Sequence, residues 1–211
     1  MHPCLPWVIG GAKLLAVGGI VALSATVSIA ESGEKLPVEA EYSGTLIKRI
    51  DGKTYHAQIF AKGDRLRVEY KYAIRTELGF SAIEIIRPDL GERWYVLPQQ
   101  KQLLVLPITD ETLSMHAELV GETNRTVVGD ATVAGRAALL FDVRVERHGM
   151  LERFYEWVDM EAGVVLKLVS QDRDWALEYE RIRMSPQPSW YFEEPPGYRK
   201  RRSGTLQERE E

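Results

Sequence analysis

The chain has 211 residues, 45% of them hydrophobic, and its 27 Lys and Arg against 31 Asp and Glu give a formal net charge of −4. This length suits one ordinary domain, and the acidic balance argues against a general nucleic-acid-binding protein. The single cysteine, Cys4, lies near the N-terminus, so the remainder of the chain excludes disulfides, cysteine nucleophiles and thiolate metal sites.

The first 30 residues have the pattern of an export signal. Lys13 precedes an apolar run over residues 14–25, and small residues follow up to Ala30. Cleavage after Ala30 would release a mature chain that begins at Glu31 into the periplasm of a bacterium. A retained membrane anchor is the alternative, but the run contains glycines and serines and is shorter than the ~20 apolar residues of a membrane span. We therefore expect no transmembrane span after cleavage.

Beyond the signal, the hydrophobic pattern has a period of two residues, which is typical of β-strands. The clearest example is residues 65–72, where Leu66, Val68 and Tyr70 alternate with charged side chains. The preceding strand carries Ile59 in a similar alternation. One face of this predicted hairpin is apolar, and the other is solvated.

Short segments with this pattern recur along the chain, and most end at turn residues such as Gly, Pro and Asp. They cover residues 38–50, 55–62, 65–72, 82–86, 93–97, 102–106, 139–146, 151–158, 164–170 and 175–184. No strand is assigned between 107 and 138. About ten short strands joined by tight turns predict a meandering antiparallel sheet.

Residues 110–120 depart from the strand pattern. Leu113, Ala117 and Val120 fall at helical spacing behind Asp110, which is suited to an N-cap. A sheet with one long apolar face needs a second sheet, closure into a barrel, or a helix across its concave side. A single short helix favours a mainly β fold in which a curved antiparallel sheet forms an unclosed barrel with the helix in its concavity.

In such a barrel, side chains from the hairpin and the helix would line the concavity. An apolar ligand would then complete the core, and the helix would act as a lid. The candidate lining residues are Ile59, Leu66, Val68, Tyr70, Leu113 and Val120.

Several segments, in order along the chain, resemble small exported proteins of the LolA/LolB lipoprotein-carrier superfamily. They are residues 42–44 (YSG), 62–69 (KGDRLRVE), 87–89 (RPD), 94–101 (WYVLPQQK), 129–135 (GDATVAG), 186–188 (PQP) and 192–198 (FEEPPGY). The resemblance implies an unclosed antiparallel barrel with helix in its hydrophobic mouth. It also implies a periplasmic binding or carrier role, with a lipid, an acyl chain or a lipoprotein as partner.

Enzyme motifs are missing from the sequence. It contains no G-x-S-x-G, no H-E-x-x-H and no glycine-rich phosphate loop. His56, His116 and His148 lie on a predicted strand, a predicted helix and a turn, and none has a second histidine at metal-ligand spacing. We assign no catalytic, cofactor-binding or metal-binding residue and expect a protein that is not an enzyme.

The chain therefore divides into a signal peptide (1–30), one half-barrel domain (31–198) and a charged flexible tail (199–211). Two functions stay open. The first is a binding or carrier protein for lipid, acyl chain or lipoprotein in sorting or envelope maintenance. The alternative is an envelope interaction or stress-sensing protein of the same fold that has no lipid cargo and meets a protein partner through a sheet edge or its convex face. A concavity filled by the protein's own side chains would favour the alternative.

Overall fold

The computed structural model describes residues 40–109 and 118–203, and most of this backbone lies in one β-sheet. Twelve strands make up the sheet within these ranges. They are β1 (Glu41–Ile50), β2 (Lys53–Lys62), β3 (Arg65–Thr76), β4 (Gly79–Arg87), β5 (Glu92–Leu97), β6 (Gln102–Pro107), β7 (Glu122–Val133), β8 (Arg136–Arg147), β9 (Met150–Asp159), β10 (Val165–Ser170), β11 (Trp175–Met184) and β12 (Arg199–Arg202). Two short 3₁₀ turns, Pro88–Leu90 and Ser189–Phe192, accompany them. Across 40–109 and 118–203, no helix has the length and apolar content of a membrane span.

The strands follow the spatial order β12-β6-β5-β4-β3-β2-β1-β11-β10-β9-β8-β7. Neighbours run antiparallel, except that β12 runs parallel to β6. Because β12 and β7 form the two ends of this order, the sheet is open, and the predicted unclosed antiparallel fold is confirmed. The predicted signal and most of the predicted helix, residues 110–117, lie outside the described residues.

The connection from β6 to β7 is short for the width of the sheet. Nine strands lie between β6 and β7, and at ~4.8 Å per strand spacing a flat sheet would separate them by roughly 48 Å. Residues 108–121 reach about that far only when fully extended. Yet Ile108 and Leu119, near the two ends of this connection, pack against the same apolar cluster. Both ends of the connection therefore lie on the concave side of a curved sheet.

The main core covers the concave face from β4 through β1 to β8. It is a continuous apolar layer formed by alternate residues of each strand. Its buried members include Tyr42, Leu46, Ala57, Ile59, Ala61, Leu66, Val68, Ile86, Val143, Val145, Phe154, Leu168, Leu177 and Tyr179.

A second cluster lies on the opposite, outer face of β4, β5 and β6. Ile85, Trp94, Val96, Leu103 and Val105 form it, and Tyr198 packs against it. The C-terminal segment that carries Tyr198 therefore covers the outer face at this end of the sheet, so the central strands here are buried on both sides.

The structure places Arg199–Arg202, which we expected in the charged tail, in strand β12. Alternate basic side chains turn toward one acidic residue of β5: Arg202 Nη2 lies 2.6 Å and Lys200 Nζ 3.7 Å from the carboxylate of Glu92. Lys200 Nζ also lies 4.3 Å from the centre of the Trp94 ring. These contacts offset the repulsion among four consecutive cations, which is why a charge-rich segment forms a strand here. Residues 204–211 lie outside the described residues.

Candidate functional site on the concave face

Three of the predicted lining residues meet on the concave face. Ile59 of β2 lies directly opposite Val68 of β3, and Leu66 lies two positions along the same strand. All three are buried members of the concave cluster, and Tyr70 packs against it while half-buried. The structure therefore brings Ile59, Leu66, Val68 and Tyr70 together, as alternation along two paired strands requires.

Two further lining residues were predicted on the helix. Of these, Leu113 lies outside the described residues and Val120 is 44% exposed. Its neighbour Leu119 is 2% exposed and belongs to the concave cluster. A local turn holds Leu119 in place: the backbone N–H of Glu122 donates to the Leu119 carbonyl at 3.0 Å, and the Leu119 N–H donates to the Glu122 carboxylate at 3.2 Å. The turn, rather than a helical repeat, selects the residue that faces the core.

Polar groups interrupt the apolar layer toward β5. The Tyr70 hydroxyl donates to Glu84 Oε2 at 2.6 Å, and Arg93 Nε lies 3.7 Å from Glu84 Oε1. Burial, reinforced by the Glu84 charge, raises the pKa of Tyr95 to about 12 and that of Tyr70 further still. Both phenols are therefore protonated at physiological pH and act as hydrogen-bond donors.

A buried ion cluster lies near the opposite edge of the concave face. Arg125 of β7 donates to Glu156 of β9 at 2.5 Å and to Glu122 at 2.8 Å, and its guanidinium lies 4.9 Å from the Phe141 ring centre. Glu156 is 0% exposed, and its Oε1 atom has no hydrogen-bond partner within the described part of the chain. Burial raises the pKa of Glu156 to about 8, against the opposing effect of Arg125.

This buried carboxyl predicts a pH dependence of stability. Because the pKa of Glu156 is higher in the folded than in the unfolded chain, its contribution to stability is complete below about pH 4.5 and is lost as pH rises toward 8. We expect Glu156→Gln to gain stability relative to the parent over this interval, by at most about 1.4 kcal/mol per pH unit. Thermal unfolding of both proteins at pH 5 to 8.5 measures this difference in stability.

Glu178→Gln is the matched control, since Glu178 is half-exposed and pairs with Lys167 at 3.0 Å. Its stability difference from the parent should stay nearly constant over the same range. A constant difference for Glu156→Gln as well would contradict the buried-carboxyl assignment.

Sequence reasoning missed the ion cluster, although one signal for it was present. Along β9, Glu152 and Glu156 alternate with the buried residues Phe154 and Val158 on one face of the strand. Two acids therefore occupy its inward face. A charge on an apolar face indicates a buried partner, and here the partner, Arg125, comes from a segment to which no strand was assigned.

The concave face is closely packed near β10 and β11. A cavity of about 10 Å³ there is lined by Leu46, Val165, Leu166, Lys167, Leu177 and Tyr179. That volume holds one water molecule, so an acyl chain would have to displace protein side chains from this layer.

No protein-family model matches the chain, and no curated protein matches it significantly. Among solved structures, the MucA/MucB complex of Pseudomonas aeruginosa is 15% identical, over 71% of this chain and 53% of that one, with a TM-score of 0.45. A MucB crystal structure is 17% identical, over 73% of this chain and 56% of that one, with a TM-score of 0.48. A putative outer membrane lipoprotein-sorting protein domain from Vibrio parahaemolyticus is 11% identical, over 72% and 89%, with a TM-score of 0.38.

The similar structures thus include a putative outer membrane lipoprotein-sorting protein domain. The chain spans about half the length of the MucB structures that it matches. At these TM-scores, function has to be inferred from this chain's own residues.

Proposed function

We propose that this protein is exported to the periplasm and works there as a binding protein of the carrier type, which takes a lipid, an acyl chain or the acylated end of a lipoprotein on its concave face. The observation that carries this proposal is the seating of Leu119 on a continuous apolar layer that includes Ile59, Leu66 and Val68. Leu119 comes from a turn between distant strands, so it can leave the layer without breaking the sheet.

The energetics favour such an exchange. Exposing one leucine side chain costs about 1.5–3 kcal/mol, whereas an acyl chain gains about 0.8 kcal/mol for each CH₂ that it buries. The space that a leucine side chain vacates takes about four methylenes, which contribute about 3 kcal/mol and so offset the loss of Leu119 packing, and each further methylene that packs on the layer adds to this.

The polar groups near β5 suit the head of an acyl ligand. The Arg93 Nε atom is buried with no hydrogen-bond partner among the described residues, and it lies near the protonated hydroxyls of Tyr70 and Tyr95. An ester or carboxylate oxygen at the end of an acyl chain would accept a hydrogen bond from Arg93 Nε, while the Tyr70 hydroxyl keeps its hydrogen bond to Glu84.

Displacement of a fluorescent fatty-acid probe tests the proposal. We expect binding at or below tens of micromolar probe, and Leu119→Ala should tighten it by about tenfold, because the smaller side chain lowers the cost of opening the apolar layer. Val120→Ala is the matched control, since its side chain is exposed, and it should leave affinity unchanged. Failure of fatty acid, phospholipid and acylated peptide to bind the parent protein would contradict the carrier role.

An envelope interaction protein without lipid cargo is the second candidate, and one observation favours it. Ile59, Leu66 and Val68 are already buried by the protein's own side chains. The MucA/MucB structure is a protein–protein complex, but for this chain a protein partner is a proposal that depends on its own exposed surfaces.

A further inference from the structure

The two edges of the sheet differ in the features that prevent edge-to-edge pairing. β12 is four residues long and entirely basic, and short, charged edge strands resist pairing with another chain. β7 is twelve residues long and contains neither lysine nor proline. Among the described strands no partner covers the outer edge of β7, so its backbone N–H and C=O groups are available to a further strand.

The centre of β7 is apolar and accessible. Val127 and Val128 are each 56% exposed, and they lie at the β-bulge between Val127 and Gly129. Thr126 and Gly129 flank them, so the middle of the strand carries no charge. Exposed β-branched residues on an unpaired edge are suited to cross-strand packing.

We propose that β7 pairs antiparallel with β7 of a second copy of this chain, with the two-fold axis between Val127 and Val128. This register pairs residues 124–131 of the two copies, and the bulge between Glu122 and Asn124 ends the pairing at that point. Val127 then lies opposite Val128 of the second copy, and the two sheets join into one. The proposal is independent of ligand binding on the concave face.

The charges of β7 are complementary in this register. Arg125, whose guanidinium binds Glu122 and Glu156 of its own chain, lies opposite Asp130 of the second copy, and no like charges are set opposite each other. Both side chains belong to the same face of the sheet, since Arg125 pairs with Val143 and Asp130 with Leu139 on β8. Self-pairing of β12, in contrast, would bring four basic residues against four others, which is unfavourable. Charge therefore favours a second copy at β7 and disfavours it at β12.

Sedimentation velocity on residues 31–211, at concentrations up to about 100 µM, tests the proposal. We expect a dimer for the parent and a dissociation constant about tenfold higher or more for Val128→Lys, since two lysines enter each dimer. Val120→Lys makes the same change at an exposed valine outside β7, and it should leave the dimer intact. A monomeric parent, or a dimer that Val128→Lys leaves unchanged while both variants melt like the parent, would overturn the proposal.

Cross-linking tests the register and does not depend on Val128→Lys folding. Residues 31–211 contain no cysteine, and positions 124 and 131 lie roughly 23 Å apart along one strand, too far for a bridge within one chain. Asn124→Cys combined with Ala131→Cys should form disulfide-linked dimers on mild oxidation. Asn124→Cys combined with Thr132→Cys, shifted by one residue, should form far fewer. Equal yields from both pairs would overturn the register.

Discussion

Replacing Phe192 by alanine should lower the free energy of unfolding by about 3–5 kcal/mol. Phe192 ends the 3₁₀ turn Ser189–Phe192 and is 0% exposed. The same residue anchors the C-terminal segment to the sheet, because Arg87 Nη1 donates to its carbonyl oxygen at 2.9 Å. The shortened side chain leaves a cavity under that segment. The buried Arg87 guanidinium is then hydrogen-bonded to the carbonyl of a segment that is less firmly packed on the sheet. Chemical denaturation monitored by tryptophan fluorescence measures the loss.

Trp190→Ala is the matched control for this prediction. It removes a larger aromatic side chain from the same turn, but Trp190 is 67% exposed, so the expected loss is about 1 kcal/mol or less. Equal losses for the two variants would mean that the C-terminal segment is not anchored through Phe192.

Gly121→Ala should cost about 2–5 kcal/mol, as the sum of backbone strain and a steric clash. Gly121 has a φ of 81°, which side-chain-bearing residues rarely adopt, and a Cβ there would overlap the carbonyl oxygen of Glu146. The Gly121 carbonyl accepts a hydrogen bond from the Glu146 N–H at 2.8 Å, so the clash acts on the turn that seats Leu119 in the core. Thermal and denaturant unfolding both report this loss.

Gly135→Ala separates strain from clash. Gly135 has a φ of 75°, and a Cβ added there meets nothing within 4 Å. It should therefore cost about 1–2 kcal/mol through strain alone. If Gly135→Ala proves as harmful as Gly121→Ala, the close approach of Gly121 to Glu146 is not energetically important.

Strands with one buried and one solvated face were predictable from the sequence. In β3, charged residues alternate with Leu66 and Val68, and this alternation is the direct consequence of side chains pointing to opposite faces. The edge strand β7 was not predictable in this way. Most residues of β7 are exposed, on both faces of the strand. Its Thr, Asn, Arg and Val residues therefore show no alternation of apolar and polar side chains. The like charges of β12 hid a strand for a related reason, since its stability comes from Glu92 and Trp94, which are distant in sequence.

The concave site was predictable in its apolar part only. Ile59, Leu66 and Val68 follow from alternation and meet as expected. Leu119 takes its place through a turn whose hydrogen bonds involve Glu122, and no periodic pattern encodes such a turn. The Arg125–Glu156 pair depends on the neighbouring positions of β7, β8 and β9, which require the strand order to be known.

Native mass spectrometry of the protein purified from bacterial periplasm tests the central proposal most directly. We expect a mature chain that begins at Glu31 and carries lipid or an acyl chain, which is released when the protein unfolds. We also expect Leu119→Ala to retain a larger bound fraction than Val120→Ala. A mature chain that carries no lipid, and gains none after incubation with fatty acid or phospholipid, would contradict the carrier role.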